Sequence, residues 1–377
     1  MDFTYTEEQQ MLADTVGRFV ADAYTLEARR ALVTSKLGFS QEYWQQFAEM
    51  GLLGLAVPEE HGGLNATPAE IFIVMHAFGR GLVLEPYLST AIVGAQLLAQ
   101  AGTEAQKSAW LPAIVEGSKR VALATFEPSA RFDLVQIDTR AEKTGAGYVL
   151  NGRKAVVLHG DSADGLIVSA RTSGSSREPQ GVSLFLIDAR AAGVEVQGFP
   201  NIDGQRSAEV TLKNVQVGTD ALVGSIGAGF APLEHALDFG LAALCAEAVG
   251  CMEQIIEMTA EYLRTRQQFG KPIGTFQALQ HRVADMAIAT EQARSAALLA
   301  ASQSTNANAA ERRRAISAAK AMIGRSGRLV GQCAIQLHGG MGMTDELSVG
   351  HYFKRLTCID MTWGNVEHHT EAFGEFL

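Results

Sequence analysis

Apolar positions recur at helical spacing over the first third of the chain, alternate in short runs from Val121, and return to helical spacing after Gly229. Thr6-Glu-Glu-Gln9 has the spacing of a capping box and opens a helix whose Met11, Leu12, Val16, Phe19 and Val20 share a face. A second helix is predicted from about Ser40 to Gly51, with helical patterning again over residues 69–102 and 109–115. Strand-like runs follow at residues 121–125, 147–151, 155–158, 166–170, 182–187 and 208–212, separated by Gly, Ser, Asp and Pro. After Gly229 come two alanine-rich helical stretches, residues 284–301 and 312–332. The pattern predicts an α+β multidomain protein, with an N-terminal helical domain over 1–120, a middle β-barrel domain over 121–228 and a C-terminal helical bundle, read as four helices, over 229–377.

The 377 residues, 47% of them hydrophobic, suffice for two or three domains with substantial cores. A net charge of -10 argues against nucleic acid and anionic membranes as partners, since both call for basic surface. Cys245, Cys251, Cys333 and Cys358 show no Cys-x-x-Cys spacing and sit in apolar helical contexts, which reads as reduced core cysteines of a cytoplasmic protein. The acidic, immediately helical N-terminus has no signal-peptide character, and no apolar run reaches the length of a membrane span. His338 has no Cys, Asp or Glu at ligand spacing, so no metal site is expected.

Two motifs carry the chemistry: Arg266-Gln-Gln-Phe-Gly270 followed by Gln277, and Gln336-Leu-His-Gly-Gly-Met-Gly342. A guanidinium can hold a pyrophosphate through two parallel hydrogen bonds, and paired glycines let a backbone approach a cofactor that a Cβ would displace. Together these motifs, with Val57-Pro-Glu-Glu-His-Gly-Gly63, resemble the acyl-CoA dehydrogenase family, and the resemblance covers essentially the whole chain. It implies FAD as cofactor, with Arg266, Phe269, Gln277, Gln336, Gly339 and Gly340 clamping the ADP half of a flavin seated mainly on a neighbouring subunit.

In the β region, Phe126-Glu-Pro-Ser-Ala-Arg-Phe-Asp133 is similar to the family's Thr-Glu-Pro-Gly-x-Gly-Ser-Asp, and Asn151-Gly-Arg-Lys-Ala-Val-Val-Leu-His-Gly160 to its Asn-Gly-x-Lys-x-Trp-Ile-Thr-Asn-Gly. The resemblance places Phe126 and Leu158 against the flavin where the family has threonines, and Val156 where it has a tryptophan covering one flavin face. Two hydroxyl hydrogen bonds to the ring are missing, and backbone N–H groups are left to replace them.

The family's catalytic base is a glutamate that removes the α-proton of an acyl-CoA while the β-hydrogen leaves as hydride. A desolvated carboxylate suits that task. Counting from Gly339-Gly340 puts Trp363 at one usual position, and counting back from Arg266 puts Gly240 at the other. Glu247, two helical turns after Gly240 on the same face, is the remaining candidate, read either as base or as a glutamate paired with an arginine. Glu367 is a weaker candidate, and His368 and His369 read equally as tail residues.

Within the family, Gln336-Leu-His-Gly-Gly-Met-Gly-Met-Thr-Asp-Glu346 followed by Gly350-His-Tyr-Phe-Lys-Arg-Leu356 is most similar to small subunits of heteromeric bacterial enzymes, those of pimeloyl-CoA and of steroid side-chain breakdown. That implies acyl-CoA as substrate, a second acyl-CoA dehydrogenase subunit or a homo-oligomer such as a tetramer, electron-transferring flavoprotein as acceptor, and a place in fatty-acid or steroid side-chain β-oxidation. Two alternatives stay open: a self-sufficient homo-oligomer using Glu247 as base, and a catalytically silent structural subunit.

Overall fold

The computed structural model describes residues 5–376. Its elements, in chain order, are helices α1 (Glu7–Ala23), α2 (Leu26–Thr34), α3 (Gln41–Glu49) and α4 (Pro68–Gly81), a π-helical turn (Leu88–Gly94) that continues into α5 (Ala95–Ala101), and α6 (Glu104–Val115). Then come strands β1 (Val121–Ala124), β2 (Arg140–Lys143), β3 (Gly147–Leu158), β4 (Gly165–Arg171), β5 (Val182–Asp188), β6 (Val194–Pro200), β7 (Arg206–Gly218) and β8 (Leu222–Val223). The chain closes with α7 (Phe230–Thr265), a short hairpin of β9 (Gln267–Gln268) and β10 (Lys271–Pro272), and α8 (Gln277–Gln303), α9 (Ala309–His338), α10 (Val349–Met361) and α11 (Val366–Gly374).

Local chemistry sets the ends of these elements. Thr6 and Gln9 form the capping box reciprocally, Thr103 and Gln106 do the same for α6, and the Ser40 hydroxyl accepts from Tyr43 N at the start of α3. The runs predicted at 147–151 and 155–158 are one continuous strand, β3, whose pairing with β7 carries through the register shifts at Leu150/Gly152 and Lys154/Val157. Strands β2, β6 and β8 escaped the sequence reading; β6 alternates half-buried Val194 and Val196 with exposed Glu195 and Gln197, but Gly198 and Pro200 cut the run short.

The chain resolves into two compact units. One takes in the described part of Met1–Ala31 with Pro68–Val83 and the described part of Leu241–Leu377; the other takes in Leu32–Thr67 and Leu84–Gly240. In the first, Ala289, Ala293, Ala297 and Ala300 line the buried side of α8 and let α9 approach closely. Helices α4 and α7 meet backbone to backbone: a Cβ on Gly79 would lie 2.0 Å from Glu247 O, and one on Gly250 would lie 2.0 Å from His76 O. Around that crossing Glu253 pairs with His76 at 2.8 Å, with Arg294, and with Arg80 at 3.6 Å.

In the second unit the strands form one sheet in the order β6-β7-β3-β2-β4-β5-β8, with β1 parallel to β4. Tyr148, Leu150, Leu166, Val168, Phe185, Val210 and Leu212 make its core, and Tyr148 meets Phe185 edge-on at 5.1 Å. The helical part of this unit is fastened by Trp44 Nε1, which donates to Gly117 O at 3.0 Å, and by the Tyr87 hydroxyl, which donates to Leu52 O at 3.0 Å.

The sequence reading overlooked one apolar run. Helix α7 contains an 18-residue window of mean hydropathy 1.5, long and apolar enough by composition to cross a membrane, and 83% of that window is buried inside the protein. Burial on nearly every side explains the all-round hydrophobicity, as in the core helix of a large globular domain.

Candidate functional site

The two glycine motifs come together in the first unit. Tyr262, one turn before Arg266, stacks on His338 with ring centroids 4.4 Å apart and donates from its hydroxyl to His338 O at 3.4 Å. His338 Nδ1 donates to Ala334 O at 2.8 Å, which fixes the ring, and burial lowers its pKa below the usual histidine value. His338 is therefore neutral packing between the motifs. Among the described residues there is no cluster of three or more His, Cys, Asp or Glu able to hold a metal ion.

Around that stack, the residues expected to clamp the cofactor are presented outward. Phe269 is 89% exposed at φ +55°, an unfavourable conformation for a bulky side chain, and Gly270 follows at φ +77° to complete the hairpin tip. Arg266, Gln277, Gln336, Gly339 and Gly340 are all exposed, and Arg266 makes no ion pair among the described residues. Added Cβ atoms at Gly270, Gly339 and Gly340 would meet nothing within 4 Å. An unpaired guanidinium beside open, glycine-lined backbone fits a dinucleotide's pyrophosphate, so the residues present fit the ADP half of FAD.

In the second unit, the two segments placed against the flavin by resemblance are directly bonded: Ala155 N donates to Phe126 O at 2.9 Å. Phe126 and Leu158 are half-buried. Val156 is 57% exposed and takes φ +51° where the pairing of β3 with β7 slips between Lys154 and Val157. Beneath them Lys154 and Glu127 form a buried ion pair at 2.7 Å, unassigned from sequence. Burial lowers the Lys154 pKa to about 8; burial works to raise that of Glu127, but the Lys154 charge and its hydrogen bonds overcome this and hold it below the usual carboxylate value. The signal was present in the sequence, because Lys154 falls on the inward-facing parity of its strand, where a charge requires a partner.

Glu247 is engaged by an arginine. Its carboxylate accepts from Arg355 Nε at 2.5 Å and from Arg355 Nη2 at 2.7 Å, and both side chains are buried. Proton abstraction by Glu247 would require breaking this bidentate pair, so the arginine-paired reading is the one the structure displays. Arg355 lies in Gly350-His-Tyr-Phe-Lys-Arg-Leu356, a stretch legible as a motif whose arginine had no assigned role.

Trp363 sits in a tight turn at φ +55°, followed by Gly364 at φ +119°. Lys320, fully buried on α9, donates to Asp360 O at 2.9 Å and Gly364 O at 2.7 Å, and His369 Nε2 meets Trp363 O at 3.2 Å. His369 is thus no tail residue: it is 4% exposed, and burial drives its pKa down to about 2, so the ring is neutral and Nε2–H donates. Glu367 is exposed at the start of α11 and bonded by Asn365 Nδ2. The four cysteines are free, Cys245 and Cys251 buried and the other two half-buried.

Residues 6–118, 122–215 and 227–377 match, in turn, the N-terminal, middle and C-terminal domains of acyl-CoA dehydrogenases. The chain belongs to the acyl-CoA dehydrogenase family. Among its relatives, the acryloyl-CoA reductase (NADH) of Anaerotignum propionicum is 29% identical over 98% of this chain and 94% of its own. Among solved structures, the ChsE4–ChsE5 complex from Mycobacterium tuberculosis is similar with a TM-score of 0.89 at 27% identity, covering 100% of this chain and 98% of that one. A variant of the Tcur3481–Tcur3483 steroid ACAD gives a TM-score of 0.88 at 30% identity, covering 98% and 97%. Family members are oxidoreductases acting on acyl-CoA.

Proposed function

We propose that this acyl-CoA dehydrogenase takes part in FAD-dependent α,β-desaturation of an acyl-CoA thioester as the cofactor-clamping subunit of a heteromer, with the base supplied by a second acyl-CoA dehydrogenase chain. FAD, when bound, supplies the acceptor for the hydride that leaves the β-carbon. Arg266 binds its pyrophosphate, Gln277 and Gln336 hold its polar edges, Phe269 covers apolar surface, and Gly339 and Gly340 let the backbone approach. The observation that carries the reading is the contrast between an open, unpaired Arg266 clamp and a Glu247 fully engaged by Arg355. Two solved structures similar to this chain are themselves named as two-component assemblies, which supports a heteromer. Electron-transferring flavoprotein is the electron acceptor in this reading.

The test is flavin content after gel filtration of the assembly containing Arg266→Ala. A charge-assisted bidentate contact contributes about 1.5–3 kcal/mol, so affinity should fall roughly ten- to a hundredfold. Stability should stay within about 0.5 kcal/mol of the parent, since the side chain is exposed. Full flavin at unchanged affinity would remove the clamp assignment.

A further inference from the structure

Lys154 is completely buried, and its ammonium donates to Glu127 Oε1 at 2.7 Å, Ser169 Oγ at 3.1 Å and Thr125 O at 3.2 Å. The Glu127 carboxylate also accepts from the main-chain N–H groups of Asp138 at 2.8 Å and Thr139 at 3.0 Å. One ion pair thereby ties the end of β1, the loop after it, β3 and β4 to a common point. Two residues beyond Lys154, the β3 bulge holds Val156 at φ +51° with most of its side chain exposed. A β-branched residue is strained there, and such strain persists only where the surroundings over-determine the backbone, commonly at functional sites. Bulges serve the same end by re-aiming a strand beside an active site.

A buried ion pair is a weak device for stability, because a well-packed apolar pair of similar volume often does as well. What this pair provides is register between the loop that begins at Phe126 and the strand that ends at Leu158. We infer that Glu127 and Lys154 are positioning residues for the isoalloxazine ring, holding the Phe126 and Val156 segments at a fixed separation so that main-chain groups replace the two missing threonine hydroxyls. They act through the backbone of those segments and do not touch the ring. The inference rests on the FAD reading above.

The experiment titrates FAD and, separately, ADP into the assembly containing this chain and follows thermal unfolding of the apo protein. Glu127→Gln combined with Lys154→Met removes both charges and keeps one acceptor oxygen, enough for one of the Asp138 and Thr139 N–H groups. The expected result is an apo melting temperature close to the parent's, FAD affinity lower by about tenfold or more, as for a site whose supporting shell is loosened, and loss of fine structure in the bound-flavin absorption band. ADP, which probes the Arg266 clamp alone, should bind as in the parent. Parent-like FAD affinity and spectrum in the double variant would overturn the inference. If that variant does not fold, Ser169→Ala decides: a several-fold loss of FAD affinity supports the inference, and none overturns it. A parent assembly that binds ADP but not FAD overturns the inference and leaves the clamp intact, whereas one that binds neither overturns the functional reading itself.

Discussion

Both oxygens of the Glu247 carboxylate are held by a single guanidinium, that of Arg355. Removing one partner of such a buried pair strands the other charge, so Glu247→Gln should destabilise the protein by about 3–5 kcal/mol in denaturant unfolding. Were Glu247 the base, the isosteric amide would instead leave stability nearly unchanged and lower turnover about 10²–10⁴-fold. The two outcomes separate cleanly, because one is read in unfolding and the other in rate.

The crossing of α4 and α7 leaves no room for a side chain at Gly79 or Gly250. Gly250→Ala would drive a methyl group into His76 O and should cost at least about 1–3 kcal/mol, the range for overpacking a tight core. The gain in helix propensity, about 1 kcal/mol, works in the opposite direction and should not offset it. An unchanged melting temperature would mean that the helices can separate freely at this point.

These elements show how much the sequence disclosed. Helix and strand territories and the Thr6 capping box were legible, since each rests on local spacing. The partners Arg355 for Glu247 and Glu127 for Lys154 were not, because 108 and 27 residues separate them and only the fold brings them together. The turn at Trp363 was legible as an alignment position but not as a seat. Its carbonyl contacts come from Lys320 and His369, neither of which has any sequence signature for that role.

Glu253 gives a pH dependence with a definite sign. Burial works to raise its pKa, but the His76 hydrogen bond and the charges of His76, Arg294 and Arg80 outweigh it and hold the folded-state value below the ordinary 4.5. A carboxyl group whose folded pKa is depressed contributes stability above its unfolded pKa and loses it as pH falls through the folded value. Glu253→Gln should therefore lower stability near neutral pH and flatten the acid limb of a stability–pH curve below about 4.5. Parallel acid limbs for parent and variant would show that the junction of α4, α7 and α8 does not depend on this charge.

The central claim is that this chain clamps the flavin and leaves proton abstraction to another. The direct measurement is desaturation of a panel of acyl-CoA thioesters by the purified chain alone, reconstituted with FAD and supplied with an artificial electron acceptor. The account predicts no turnover by the chain alone, and turnover once a second acyl-CoA dehydrogenase chain bearing the glutamate is added. Robust turnover by the flavin-loaded chain alone would contradict it.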